Sequence, residues 1–345
     1  MFANCLSTPG SVPCAVAGIA LLCTALLCGA AQAAGLTVLL ADDTAAHAEF
    51  VRELRDTQEK DSRVDVVRLG TTNTAASTTV ASAADSASAD EDRAMAGVRT
   101  RGLRSDAGAD PAVTVAVGMD AARSAIDRPG RDPLVLAMLT RLDYESLKSD
   151  PGLRRGERHV GVLLRDPAMA DQLALIDAVL PQKRRLGVVA TAESEPLVRE
   201  LRRAAQGWDV RVEYAPDAQS LAAVLRLLVP RSDALLVLPD LIGDSQAATL
   251  SVLRAGAGAG LPVFGASEGL VRSGGLAAAI STPAQLAQQA RALARKVAAA
   301  NAGSAGVLVE PATPASVRVN GTVARGLGLH LPEERELTAR VTATR

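Results

Sequence analysis

At 345 residues with 48% hydrophobic composition, the chain is long enough for two lobes of ordinary domain size with proper cores, which excludes a disordered or fibrous protein. Its 37 basic and 38 acidic residues leave a formal net charge of -1, so nothing in the charge balance points to nucleic acid or to an anionic membrane surface. Aromatic residues make up 2%, which limits any site that would stack a sugar or an indole ring.

The first charged side chain is Asp42. Before it an apolar run from Ala15 to Cys28 leads into Gly29-Ala-Ala-Gln-Ala33, where Ala31 and Ala33 form the small-x-small pattern that signal peptidase accepts. Residues 1–33 therefore read as a secretory signal peptide cut before Ala34, which places the mature chain in the periplasm. The competing reading is an uncleaved anchor, but the apolar stretch is shorter than the roughly 20 residues of a spanning helix. The segment also lacks any Lys or Arg ahead of its apolar core. All four cysteines, Cys5, Cys14, Cys23 and Cys28, fall inside it. The mature chain then holds neither a disulfide nor a cysteine-ligated metal. Lipidation at Cys28 is the minor alternative, because Leu27 is large where such sites need a small residue.

A strand over Leu36 to Leu40 ends in the polar turn Ala41-Asp-Asp-Thr44, and a helix follows from Ala45 to Thr57 with Asp43 or Thr44 as its N-cap. After a second strand, Val64 to Arg68, the Ser/Thr/Ala/Asp-rich tract 70–110 buries too little apolar surface to offset chain ordering and reads as a mobile insertion. Strands resume at Ala112 to Val117, Leu134 to Leu139 and Val160 to Leu164, with short helices between. From Arg184 onward one unit repeats: a Val/Leu-rich strand, a polar turn and an amphipathic helix. The strands are Leu186 to Ala190, Val210 to Tyr214, Ala234 to Leu238 and Leu261 to Gly265, and the helices start near Glu193, Asp217 and Asp244. Strands alternating with helices of this length predict α/β architecture, parallel sheets covered on both faces by helices. Right-handed crossovers then gather the loops at the strand C-termini on one edge, where such sheets bind ligands.

The runs Leu180-Pro-Gln-Lys-Arg-Arg-Leu-Gly-Val-Val189, Ser232-Asp-Ala-Leu-Leu-Val-Leu-Pro-Asp240, Leu261-Pro-Val-Phe-Gly-Ala-Ser-Glu268, Arg272-Ser-Gly-Gly-Leu276 and Val319-Asn-Gly-Thr-Val-Ala-Arg-Gly-Leu-Gly-Leu329 occur in a set order. Together they resemble the ABC transporter substrate-binding protein family of the type I periplasmic-binding-protein fold. The resemblance implies two Rossmann-like lobes joined by a three-segment hinge that permits closure. The first lobe would comprise residues 34–165 with 283–306, and the second residues 166–282 with 307–345. The crossings between lobes would lie at Asp166-Pro167, near Ile280 to Thr282 and near Val307 to Pro314. The implied function is an exported solute-binding protein, monomeric, that captures a small polar ligand for an ABC permease. The alternative is a sensory protein of the same fold, read by a receptor or histidine kinase.

No catalytic constellation is present, so no enzyme, cofactor or metal centre is expected: His47, His159 and His330 are scattered, and no nucleophile-elbow, zincin or phosphate-loop motif occurs. Gly256-Ala-Gly-Ala-Gly260 precedes a strand instead of following one, which makes it a helix stop and not a dinucleotide loop. The candidate ligand contacts are the strand-end residues. In the first lobe these are Asp42, Asp43, Thr44, Gly118, Met119, Thr140 and Arg141, and in the second Thr191, Glu193, Ser194, Asp240, Ser267 and Glu268. Short hydroxyl and carboxylate groups beside helix N-termini can hold a small polar molecule. Each has a structural alternative as a helix cap, which weighs most for Asp43, Ser194 and Ser267. Asp240, following a buried strand, is the strongest second-lobe candidate, with a structural turn as its alternative.

Overall fold

The computed structural model of the protein describes residues 35–57, 64–69, 113–154, 158–300, 306–314 and 316–343. The expected signal peptide, residues 1–33, and the expected insertion, residues 70–110, lie outside the described residues. In chain order the strands are β1 (Leu36–Leu40), β2 (Val64–Arg68), β3 (Val113–Val117), β4 (Leu134–Leu139) and β5 (Val160–Pro167). They continue with β6 (Arg185–Ala190), β7 (Asp209–Tyr214), β8 (Ala234–Val237), β9 (Val263–Gly265), β10 (Ala277–Ile280), β11 (Val307–Ala312) and β12 (Ser316–Val319).

These strands form two sheets with the same order, β2-β1-β3-β4-β5-β11 and β7-β6-β8-β9-β10-β12. Every pairing is parallel except β10 with β12. Each sheet is sandwiched by helices, which its sequence dictates. In β4 all six residues are buried, as expected of a strand covered on both faces. In β1, Leu36, Val38 and Leu40 enter one core while Leu39 enters the other. In the second sheet Leu186, Val188 and Ala190 of β6 and Leu236 of β8 face one core, and Val189, Leu235 and Val237 face the opposite one. Phe50 and Phe264 are fully buried, one per lobe, and each contributes about 2–3 kcal/mol of apolar burial.

The chain crosses between the sheets three times. It leaves β5 for the helix Met169–Val179, returns from β10 through the helix Pro283–Ala298, and crosses again between β11 and β12. Leu286, Leu293 and Val297 of the returning helix pack into the first lobe's core beside Phe50. A Cβ added to Gly161 of β5 would lie 2.8 Å from both Leu293 Cγ and Val297 Cγ2, so this position needs glycine for the helix to sit so close to the sheet. Two strands differ from the sequence reading. The resemblance places residues 166–167 and residues from 307 onward in the second lobe, but β5 runs to Pro167, and β11 pairs with it and completes the first sheet. The third crossing therefore follows Ala312, and only β12 and the segment after it belong to the second lobe. β10, which reads from sequence as a connection, is a strand held between β9 and β12.

Gly256 to Gly260 does end a helix: Gln246–Gly258 stops there, Gly260 takes φ +65° and Leu261 N donates to Gly256 O at 2.8 Å.

Candidate functional site

In each sheet the strand order reverses beside the strand that starts the lobe, at β1/β3 and at β6/β8, and the loops after those strands flank a crevice. Of the sequence-predicted residues, Asp42, Asp43, Thr44, Gly118 and Met119 lie at the first switch point and Thr191, Glu193, Ser194 and Asp240 at the second, whereas Thr140 and Arg141 follow β4 and Ser267 and Glu268 follow β9.

In the first lobe His47 Nδ1 lies 2.6 Å from Asp42 Oδ1, and the same carboxylate oxygen accepts Thr44 N at 3.2 Å. Partial burial pushes the Asp42 carboxyl up, but the hydrogen bonds from His47 and Thr44, with the imidazole's charge, outweigh it and hold it below the usual carboxylate range. His47 packs on Gly118, whose φ is +81° and where an added Cβ would meet His47 Cε1 at 2.6 Å; no other residue fits. Thr44 caps the helix Ala45–Asp56, and Asp43 is exposed and pairs with Arg68 at 3.1 Å. Met119 packs against the core on the outer face of the sheet.

The second switch point is sealed more completely. Ser194 Oγ donates to Asp240 Oδ2, lies 2.9 Å from Thr191 Oγ1 and accepts Thr191 N at 3.1 Å. Asp240 Oδ1 accepts the N–H groups of Ile242 and Gly243 at 2.9 and 3.1 Å. Asp240 is 1% exposed and Ser194 0%. Burial raises the Asp240 carboxyl above its ordinary value, although the bonds from Ser194, Gly243 and Ile242 oppose the shift. Both oxygens are thus engaged within the lobe. Of the two roles open to Asp240, the geometry gives it that of the structural cap. Glu193 and Glu268 are exposed, and Ser267 caps the helix Glu268–Arg272 by accepting Leu270 N at 3.1 Å.

The concavity between the lobes lies beside these switch points. It is a cleft of about 260 Å³, and of the residues singled out from sequence, Ser267 lines it. Apolar walls come from Ala46 and Met138 of the first lobe, from Val237, Leu238, Pro239 and Leu270 of the second, and from Pro283 and Leu286 of the returning helix. Its charged lining residues are Arg165 and Asp166 at the end of β5 and Asp244 across from them. Met138 reaches the cleft through a bulge. The β4 to β5 register shifts between Ala137 and Leu139, and Met138 adopts φ +62°, the one positive φ at a described residue other than glycine. Ala137 and Met138 therefore both face the core beneath the returning helix, while Leu139 rejoins the other face. A bulge of this kind re-aims a side chain and stores backbone strain, as is common beside binding sites.

Asp166 is the most perturbed acid of the cleft. Its burial pushes the carboxyl up to about 6, against the attraction of Arg165 and the N–H of Arg141 and with the repulsion of Asp244 and Asp143. Oδ2 accepts Arg141 N at 3.3 Å, while Oδ1 has Arg165 Nε 3.8 Å away, too far for a hydrogen bond. Arg141 and Thr140 turn away from the cleft. Thr140 forms a capping box with Asp143, and the Arg141 guanidinium donates to Glu200 Oε2 at 3.1 and 2.7 Å. Glu200 belongs to the second lobe, and its Oε1 accepts Met169 N at 3.0 Å. Arg141 is therefore an interlobe tie beside the first crossing. The crossings are also tied to one another, since Ser281 Oγ donates to Thr313 O at 2.6 Å and Gln172 Nε2 to Ala279 O at 2.9 Å.

Sequence reasoning missed Arg165, Asp166, Asp244 and Met138 as cleft residues. The usable signal was Asp166-Pro167 at the crossing: a hinge segment borders the space between lobes, so a charge on it faces that space.

The sequence model of the ABC transporter substrate binding protein family matches residues 60–342. The chain belongs to this family. Its two-lobed architecture agrees with solved structures of low sequence identity. A ligand-free, open substrate binding protein with adhesive properties from Clostridium difficile is 14% identical, with a TM-score of 0.57 over 87% of this chain and 96% of that one. A conserved domain protein from Vibrio cholerae is 18% identical, with a TM-score of 0.50 over 90% and 98%. A further similar structure is the L-Trp complex of an ABC domain from Streptococcus pneumonia, 16% identical with a TM-score of 0.48 over 87% and 96%. A search of curated proteins finds no match. Family membership and the doubled sheet support a solute-binding role for the protein. Among the described residues, no helix is long and apolar enough to cross a membrane.

Proposed function

We propose that this family member is an exported, periplasmic binding protein that encloses a small solute between its lobes and delivers it, without covalent chemistry, to the permease of an ABC importer. Residues 1–33 act as the cleaved signal peptide in this reading, and the working form is a monomer. The observation that carries the proposal is the cleft of about 260 Å³ with walls from both lobes and from a hinge-crossing helix. A molecule seated there touches both halves at once. It therefore binds a closed form better than an open one, which is the differential affinity that drives closure.

The volume suits a small metabolite better than a peptide or an oligosaccharide. A thermal-shift screen of amines, amino acids, organic acids, sugars and nucleosides tests the reading, followed by small-angle scattering on every hit. The expected result is a rise in melting temperature that grows with ligand concentration, accompanied by a smaller radius of gyration. A stabilising ligand that leaves the radius unchanged contradicts enclosure.

A further inference from the structure

We infer that the solute held in the interlobe cleft is a small aliphatic cation, its ammonium nitrogen seated between Asp166 of the hinge-crossing strand and Asp244 of the second lobe. The inference rests on the solute-binding reading above and adds the chemical class of the ligand.

The cleft itself sets the requirement. Its charged lining is two carboxylates against one guanidinium, so the space between the lobes carries an excess of negative charge. The guanidinium does not neutralise that excess. Arg165 Nε stays 3.8 Å from Asp166 Oδ1, and its side chain is 41% exposed, so solvent screens much of the attraction. Other nearby cations are committed elsewhere. The Arg141 guanidinium is spent on Glu200, and only its backbone N–H reaches Asp166. Asp143, on the same short helix, adds further repulsion and is held in the Thr140 capping box. The Asp244 carboxylate has no hydrogen-bond or ion-pair partner among the described residues. The Asp166 side chain is 12% exposed and keeps Oδ1 without a hydrogen-bond donor, which makes it costly to keep ionised. An ammonium group entering from the cleft supplies the missing donors to Asp166 and cancels its repulsion with Asp244 in one step.

The walls set the rest of the molecule. Met138, Leu238, Leu270 and Leu286 offer apolar contact without an aromatic ring, which suits a branched or linear aliphatic body. Because Asp166 is contributed by the first lobe and Asp244 by the second, a single nitrogen between them bridges the halves. Charge recognition and closure are then one event.

Calorimetry on the purified chain tests this with 3-methylbutan-1-amine, 1,4-diaminobutane and L-leucine against two isosteres without the cationic nitrogen, 3-methylbutan-1-ol and 4-methylpentanoate. The amines are expected to bind at least about tenfold more tightly than the isosteres, as for loss of a charge-assisted hydrogen bond. Asp166→Asn and Asp244→Asn should each weaken amine binding by about tenfold or more. Asp244 is exposed, so its variant serves should the Asp166 variant fold poorly. With the Asp166 carboxyl titrating near pH 6, affinity should also fall by about tenfold from pH 7 to pH 5 in the wild type but not in Asp166→Asn. Preference for leucine over the simple amine, lost in Arg165→Ala, identifies the cation as a zwitterion; equal binding identifies a plain amine, and both support the inference. Isosteres that bind as tightly as the amines, or Asn variants that bind them normally, overturn it. If a sugar or organic acid induces compaction while the amines do not, this inference fails and the solute-binding reading stands. If no compound of any class is bound, both fail.

Discussion

Asp240, just after β8, and Asp166, near the end of β5, are both pushed toward the neutral form by burial, yet they are opposite in what they have left to give. Asp240 accepts Ser194 Oγ and two backbone N–H groups, whereas Asp166 accepts one N–H at 3.3 Å. The first acid holds its lobe's switch-point loop together; the second is held by the fold in a place where it lacks partners. An acid at the end of a strand is therefore not informative by position alone. What separates a cap from a ligand contact is how many of its lone pairs the fold has already used.

Removing the saturated acid should cost most. Asp240→Ala deletes a helix cap and leaves the fully buried Ser194 hydroxyl only its Thr191 partners, so urea denaturation should register a loss of about 2–3 kcal/mol. A loss below about 0.5 kcal/mol, the scale of an ordinary surface substitution, would place Asp240 with the unsatisfied acids and erase the contrast.

The unsaturated acid should behave the opposite way. Its folded-state pKa, about 6, lies above the ordinary value of 3.8, so ionising Asp166 opposes folding. The penalty is fully present above pH 6 and disappears as pH falls through 3.8. Asp166→Asn, uncharged throughout, should therefore be more stable than the wild type at pH 7.5 by up to about 3 kcal/mol, with the difference vanishing near pH 4. Denaturation curves of both proteins across that range check the sign. A variant less stable at pH 7.5 would mean that Asp166 is satisfied in the folded protein.

Glu200 sharpens the comparison as an acid spent between lobes and not within one. Glu200→Ala removes the partner of Arg141 and leaves Met169 N, at a helix start without a side-chain cap, unpaired. The expected loss is about 1–2 kcal/mol, smaller than for Asp240 because both partners retain some solvent access. An easier hinge should also show as altered ligand affinity. Unchanged stability and affinity would mean that the tie adds nothing to the folded state.

Much of the fold was legible because periodicity carries it. The strands from Leu36 to Leu40 and from Leu134 to Leu139 appear where their apolar runs lie, and the Asp217 capping position starts its helix. Ala277 to Ile280 was not legible: alanines favour helix, and this segment is a strand only because β9 and β12 pair with it from both sides. The pairing of β11 with β5 was hidden for the same reason, since an edge partner distant in sequence leaves no local mark. The candidate site was less legible than the fold. The sequence shows hydroxyls and carboxylates at strand ends but not that Ser194 and Asp240, far apart in the chain, would consume each other. Nor does the uniformly apolar Leu134 to Leu139 mark the bulge that turns Met138 toward the cleft.

The central claim is that a ligand bridging the cleft draws the lobes together. Every cysteine of the chain lies at or before Cys28, so in a chain produced from Ala34 onward cysteines introduced as Ala45→Cys and Glu268→Cys, both at exposed positions on opposite lobes, can carry spin labels that no other thiol competes for. Pulsed electron-spin distance measurements on that pair, with and without the ligand selected by the thermal-shift screen, should give a shorter distance and a narrower distribution when the ligand is bound. An unchanged distribution at saturating ligand would contradict the account.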